Sequence, residues 1–210
     1  MKNIFKNIKN FTVNNLKSIV MLISLLVFIM ISFQIYNYFL LQQLKKTSVE
    51  FFNSIEVDRE FLDENDDSFY NILSKLKLIQ KNNNNNNFEI SNKLYKEIIN
   101  SKGLGNIYIS SISAHASYTL VNASYSENTS SFLDSISYYI ENIDDNLENY
   151  YSIKKELKYL LVVTELDLSG IDYKNNTKVN DLYNEIYNSD LISSSIKERV
   201  KKIHEFHLFK

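Results

Sequence analysis

"LYKEIINS" occupies Leu94–Ser101 and "LYNEIYNS" occupies Leu182–Ser189, with six of eight positions identical and the copies 88 residues apart. In the first copy Leu94, Tyr95, Ile98 and Ile99 recur at three- and four-residue intervals, and in the second Leu182, Tyr183 and Ile186 do the same. That is the period of one face of a helix. Tyr95 and Tyr183 are therefore expected to be buried wedges, with Lys96 and Asn184 on the opposite face. Each octet reads as the second helix of a hairpin and is followed by a turn and a further helix. A lone hairpin cannot bury its apolar face, so hairpins of this kind stack on their neighbours. The repeat thus predicts an all-α fold.

Working outward, the helical period persists almost everywhere. Helices are predicted over Ser68–Gln80, Ile107–Ser124, Tyr150–Leu168 and Ile192–Leu208, with a further stripe at Phe132, Ile136, Ile140 and Ile143. With the two octets this makes seven helices joined by polar loops. Tyr150–Leu168, the longest of them, is expected to be central. The six asparagines Asn82–Asn87 read as a loop, and Ser91 as the cap of the first octet helix. Gly103 and Gly170 follow helix ends, where glycine takes the left-handed conformation. Small residues in Ile107–Ser124 (Ala114, Ala116, Ala123 and several serines) would let a neighbouring helix approach closely.

Composition narrows the function. The chain has 210 residues, a formal net charge of -2, no cysteine, no proline, no tryptophan and three glycines. Disulfides and thiolate chemistry are excluded, the charge gives no field for nucleic acid, and no glycine-rich phosphate loop exists. Between Ser18 and Leu44 no residue is charged, and Ile19–Leu41 is 23 mostly apolar residues. As a helix this stretch spans about 34 Å, enough for a hydrocarbon core of about 30 Å. No small-residue cleavage site follows it, so it reads as an uncleaved anchor rather than a signal peptide. The predicted organisation is a basic tail (1–17), a transmembrane anchor (18–44), a helix extension with an acidic linker (45–67) and a helical domain (68–210). Lys2, Lys6, Lys9 and Lys17 precede the span without an acid among them, which places the N-terminus in the cytoplasm.

The octets also carry a family likeness. Their spacing of a small residue, an aromatic four on and aliphatics three and four beyond resembles the second helix of a tetratricopeptide repeat (TPR). Ser91, Tyr95, Ile98 and Ile99 match it, as do Val179, Tyr183, Ile186 and Tyr187. The consensus Trp, Gly and terminal Pro are missing, and 88 is not a multiple of 34, so the likeness is to a divergent, TPR-like α-solenoid. The segments "LSKLKLIQ" (73–80), "FEISNKLYKEII" (88–99) and "ISSISAHASYTLVNAS" (109–124), set behind a short basic tail and one anchor, resemble the YfgM-like family. The resemblance runs over roughly residues 15–208. That family is richer in alanine and has glycine where this chain has its asparagine run. The resemblance implies a single-pass inner-membrane protein with a periplasmic domain, ancillary to the Sec translocon. Its partners would be translocon subunits, exported chains or periplasmic chaperones.

No catalytic, cofactor or metal residue is assigned. His204 and His207 lack the i, i+4 spacing of a zinc-protease helix and read as a solvated or helix-end pair. His115 reads as a buried, hydrogen-bonded side chain. Glu97 and Glu185, equivalent in the two octets, read as structural or solvent-facing. Counting an EF-hand from Asp63 puts Ser68 where Gly is needed and Ser74 where Glu is needed. The expected function is protein binding, not catalysis. A subset of the tyrosines lying off the core stripes (Tyr108, Tyr118, Tyr125, Tyr138, Tyr139 and Tyr150), with Tyr118 and Tyr138 foremost, is expected to line one partner surface with Ser110 and Ser117. Alternatives are another cell-envelope adaptor, in cell-wall or outer-membrane assembly, or a sensor domain. A sensor is disfavoured by the 17-residue tail. A reporter fused after Lys210 is expected to behave as extracytoplasmic, and the protein to stay in the membrane on carbonate extraction. A cytoplasmic reporter, or a mature chain starting near residue 40, would remove the anchor.

Overall fold

Leu16–Asn53 forms one uninterrupted helix, α1, of 38 residues, about 57 Å long at 1.5 Å per residue. From Val20 to Leu44 its large apolar side chains are exposed, Phe28 being 69% exposed, whereas Phe51 near its end is buried. It is long and apolar enough to cross a membrane, and it runs beyond the apolar stretch through Lys45 and Lys46. The computed structural model describes residues 15–53, 69–174 and 176–209. The basic tail before Asn15 and the acidic stretch 56–67 lie outside the described residues. The chain divides into two units, Met1–Glu56 and Val57–Lys210.

Within the second unit the described residues form seven helices and no strand: α2 (Phe69–Asn84), α3 (Phe88–Ile99), α4 (Asn106–Glu127), α5 (Leu133–Glu141), α6 (Glu148–Ser169), α7 (Thr177–Asn188) and α8 (Ser194–Phe209). They have 9 to 22 residues, and α4 equals α6 as the longest. The asparagine run is only half loop, because α2 continues to Asn84. Asn82 to Asn84 complete the last turn, and Asn82 Nδ2 donates to the Leu78 carbonyl at 2.8 Å. The chain then reverses at Asn86, with φ 59°. The Asn87 N–H bonds the Asn82 carbonyl at 2.8 Å and the Asn86 N–H bonds that of Asn83 at 3.1 Å, the paired closure of a Schellman motif. Asn128 ends α4 in the same way, with φ 48°, and Gly170 ends α6 with φ 64°. Asparagine, whose short side chain tolerates the left-handed region, thus replaces glycine in a glycine-poor chain.

From α2 onward each helix packs on its successor, and α6 also packs on both α4 and α8. Cross-links give the direction. Asn106 bonds Asp144, Tyr118 bonds Glu156 and Tyr125 bonds Asp167, so position advances along α4 and α6 together. Ser152 bonds Ser193, Glu156 bonds Arg199 and Tyr159 meets His204, so α8 follows the same course. These three helices run parallel, with α5 and α7 as the returns. Small residues make the approach possible, since Ser110, Ser113, Ala116, Ser117, Ala123 and Ser124 of α4 are fully buried. Helix α6 is covered on nearly all sides. From Tyr151 to Leu168 only Glu165 is exposed. Its Leu157 belongs to a core built on α2–α5, and its Tyr159, Val162 and Val163 to a second core with α7 and α8. The central role expected of Tyr150–Leu168 is observed.

The octets share their backbone role but not all their surroundings. Ser91 and Val179, both 0% exposed, occupy the same close-contact position, as do Ile98 and Ile186. Ser91 is therefore not a cap, because α3 begins at Phe88 and the Ser91 hydroxyl reaches back to the Ile79 carbonyl at 3.4 Å. Glu97 pairs with Lys75 of α2 at 3.2 Å, and Glu185 pairs with Lys155 of α6. Each octet thus clips to the helix before it. The tyrosines differ. Tyr95 is wholly buried, whereas Tyr183 is only half-buried, packed on His204 of α8 and on Tyr187 of its own helix. Tyr95→Ala is expected to cost roughly 3–5 kcal/mol and Tyr183→Ala well under half of that, as removal of a buried side chain leaves a cavity and removal of a half-buried one does not. Equal losses in denaturant titrations would show the two sites to be equivalent after all.

Candidate functional site

The expected tyrosine surface does not form as one patch. Ser110 and Ser117 are fully buried. The Ser110 hydroxyl accepts from the Asp144 N–H at 3.0 Å, and that of Ser117 donates to the Ser113 carbonyl at 2.9 Å. They serve the α4 seam and cannot line a surface. Tyr118 is half-buried in that seam, and its hydroxyl donates to Glu156 Oε2 at 2.6 Å. Burial, and then the adjacent carboxylate, hold this phenol well above its ordinary value. Tyr138 lies elsewhere, on α5, where it reaches Asn100 at 3.3 Å beneath the Lys96 ammonium. Tyr139 is entirely buried, donating to Asn92. Of the off-stripe tyrosines only Tyr108 and Tyr125 are exposed.

The structure instead opens a groove of about 500 Å³ where α2, α3 and α4 meet. Leu76 and Ile79 of α2 and Ile112 of α4 make its floor, Gln80, Asn83 and Asn84 one wall, and Ser111 and His115 the other. At its base the Tyr95 hydroxyl meets His115 Nδ1 at 2.6 Å and Thr119 Oγ1 at 3.5 Å. Burial raises the Tyr95 phenol, which therefore stays protonated and acts as a hydrogen-bonding post. The expectation of a buried His115 is overturned, since the ring is exposed at the groove wall even though it is hydrogen-bonded. Asn83 Oδ1 is buried without a hydrogen-bond partner. An unsatisfied buried acceptor costs about 1–3 kcal/mol and calls for an explanation. A second, larger cavity of about 860 Å³ lies by the α3–α4 turn, between Phe69, Lys75, Glu97 and Tyr108. Of the three charged residues that line it, Lys75 and Glu97 are paired with each other, and Lys102 is the third.

His204 and His207 are not a solvated pair. Both are buried beneath α6 and the α6–α7 loop. The Tyr173 hydroxyl lies 2.8 Å and that of Tyr159 3.3 Å from His204 Nδ1, and the two phenols also bond each other. Tyr183 stacks flat on His204 with ring centroids 3.9 Å apart, and Tyr173 stacks on His207. His207 Nδ1 faces Asp167 at 3.4 Å, and Asp167 also accepts from Tyr125. Tyr173 is pushed up to about 12 by burial. One regularity here is visible in the sequence once the fold is known. His115 follows Tyr95 by 20 residues and His204 follows Tyr183 by 21. Each octet tyrosine therefore meets a histidine of the next helix, so the repeat extends beyond the octets themselves.

Among the described residues no three His, Asp or Glu side chains are grouped to hold a metal ion. Compared with known proteins, the chain matches no family model, no curated protein and no solved structure.

Burial lowers the proton affinity of His204, and nearby His207 adds to this while the Glu205 carboxylate opposes it. The unfolded chain then takes up the proton first. The stability that depends on neutral His204 is complete above the ordinary histidine range of about 6.5 and is lost as pH falls through it. Tyr159, Tyr173 and Tyr183, which also face the ring, stay neutral across that window. The melting temperature of the full chain is expected to drop between pH 7.5 and 5.5, and His204→Gln to flatten the dependence. A melting temperature that rises on acidification, or an unchanged slope in the variant, would contradict this.

Proposed function

We propose that this protein is a membrane-anchored adaptor whose helical-hairpin domain binds protein segments on the extracytoplasmic side, beside the Sec translocon. The observation that carries the reading is the pairing of two unlike parts. One is α1, whose side chains from Val20 to Leu44 are largely apolar and exposed; the other is a separate unit of stacked helices with an open groove. An anchor of this kind confines the groove to the bilayer surface. Binding there draws on raised effective concentration, so a weak intrinsic affinity suffices. The lysines before the span support a cytoplasmic N-terminus in the inner membrane and hence a periplasmic domain.

The narrower assignment to the translocon draws on the YfgM-like layout and on the parallel course of α4, α6 and α8, which suits a TPR-like stack. Site-specific photocrosslinkers in place of Tyr108 and Tyr125, both exposed, and of Ser111 in the groove wall, are expected to capture translocon subunits, exported chains or periplasmic chaperones in intact cells. Capture should fall severalfold when residues 1–45 are exchanged for a cleavable signal peptide. Capture of cell-wall or outer-membrane assembly proteins would favour the alternative adaptor. Equal capture without the anchor, or none at all, would end the proposal.

A further inference from the structure

We infer that the α2–α4 groove is a site for an extended, uncharged polypeptide segment, bound through its main chain and indifferent to its detailed sequence. This rests on the protein-binding reading above and names the class of segment bound. Three features of the groove point the same way. First, none of its lining residues is Asp, Glu, Lys or Arg, so it offers no counter-charge to an acidic or basic peptide, and a charge placed there would lose water without gaining a partner. Second, its floor of Leu76, Ile79 and Ile112 is apolar and rewards apolar side chains.

Third, the polar groups along its edge are carboxamides. Gln80 and Asn84 lie one turn apart near the end of α2, a rise of about 6 Å. An extended chain repeats every two residues, about 6.6 Å. Successive same-side peptide groups can therefore meet Gln80 and then Asn84. A carboxamide presents one acceptor and two donors, the complement of a peptide N–H and C=O. A helical partner would bring no such groups, because its main chain is already paired. The buried Asn83 Oδ1, which has no partner in this structure, lies between the two on the same wall. A small shift of its side chain would let it take a peptide N–H. Tyr95 and His115 hold α3 and α4 at a fixed separation at the base, so the groove is preformed.

The test uses the full chain in lipid nanodiscs and fluorescence anisotropy. The probe is a nine-residue peptide of alternating valine and serine, blocked at both ends and dye-labelled. Three comparison peptides are the same sequence N-methylated at alternate amides, one with three serines replaced by aspartate, and a stapled helix of equal apolarity. The parent peptide is expected to bind, and each comparison peptide to bind about thirtyfold more weakly, which for the N-methylated peptide is the loss of two main-chain hydrogen bonds at about 1 kcal/mol each. Gln80→Ala with Asn84→Ala, both at exposed positions, should weaken the parent by about the same factor while leaving the circular dichroism melt in place. Ser111→Trp, which fills the groove from its exposed wall, should abolish binding. Undiminished affinity for the N-methylated peptide, a preference for the stapled or acidic peptide, or no effect of the carboxamide pair would overturn the inference. If crosslinking in cells succeeds while these peptides fail to bind, the adaptor stands and the groove is not its site. If the peptides bind as expected and cellular capture fails, the groove stands and the translocon assignment does not.

Discussion

Glu156 is buried at the centre of α6, and the second unit is arranged around its carboxylate. Tyr118 donates to it from α4, and Arg199 grips it from α8 with Nε at 2.8 Å and Nη2 at 2.6 Å. The carboxylate in turn holds the guanidinium above its ordinary proton affinity. A carboxylate at that depth without partners costs several kcal/mol, so the pair stabilises less by attraction than by making every other register expensive. Sliding α4 or α8 by one turn would strand the charge. Only one alignment of the three parallel helices satisfies it, and that alignment also brings Tyr125 to Asp167 and His207 to the same aspartate.

The same constraint explains why α6 lacks a clear apolar face. It separates two cores and is contacted from both, so its buried set includes Ser152, Lys154, Glu156 and Thr164 beside Leu157, Val162 and Val163. Each polar member is bonded, Ser152 and Glu156 to other helices and the remaining two nearer by. Lys154 donates to the Ile143 carbonyl and to Asp145, fixing the turn that leads into the helix, and Thr164 bonds back to Leu160. The outer ends of the array carry less of this apparatus. At the α2 end Tyr95 and His115 bond each other, while Asn83 Oδ1 is left without a partner and Gln80, Asn84 and Ser111 lie open to solvent. At the α8 end the histidines and tyrosines close on themselves.

The two ends also differ in surface chemistry. Helix α8 exposes Glu198, Lys201, Lys202 and Glu205, together with Phe206 and Phe209. The groove beside α2 has an apolar floor and uncharged walls.

The sequence by itself determined the helices, their order, and the single stretch able to cross a membrane, because each is a matter of local period and of apolar run length. The stripe Phe132, Ile136, Ile140 and Ile143 is buried throughout, and the duplicated octet does mark two second helices of hairpins. Helix ends were legible where glycine stood and misread where asparagine did its work, at Asn84–Asn86, since asparagine favours helix ends and loops alike. The candidate site was not legible. Ser110 and Ser117 look like surface residues in a serine-rich chain, yet the close approach of α6 buries them. His204 looks solvated near a helix end, yet Tyr159 and Tyr173, 45 and 31 residues away, reach it. Tyr95 and Tyr183 are the same residue in the same octet, and only their distance from the end of the stack sets one in the core and the other at its edge. Packing between helices far apart in sequence made these choices, and no local pattern records it.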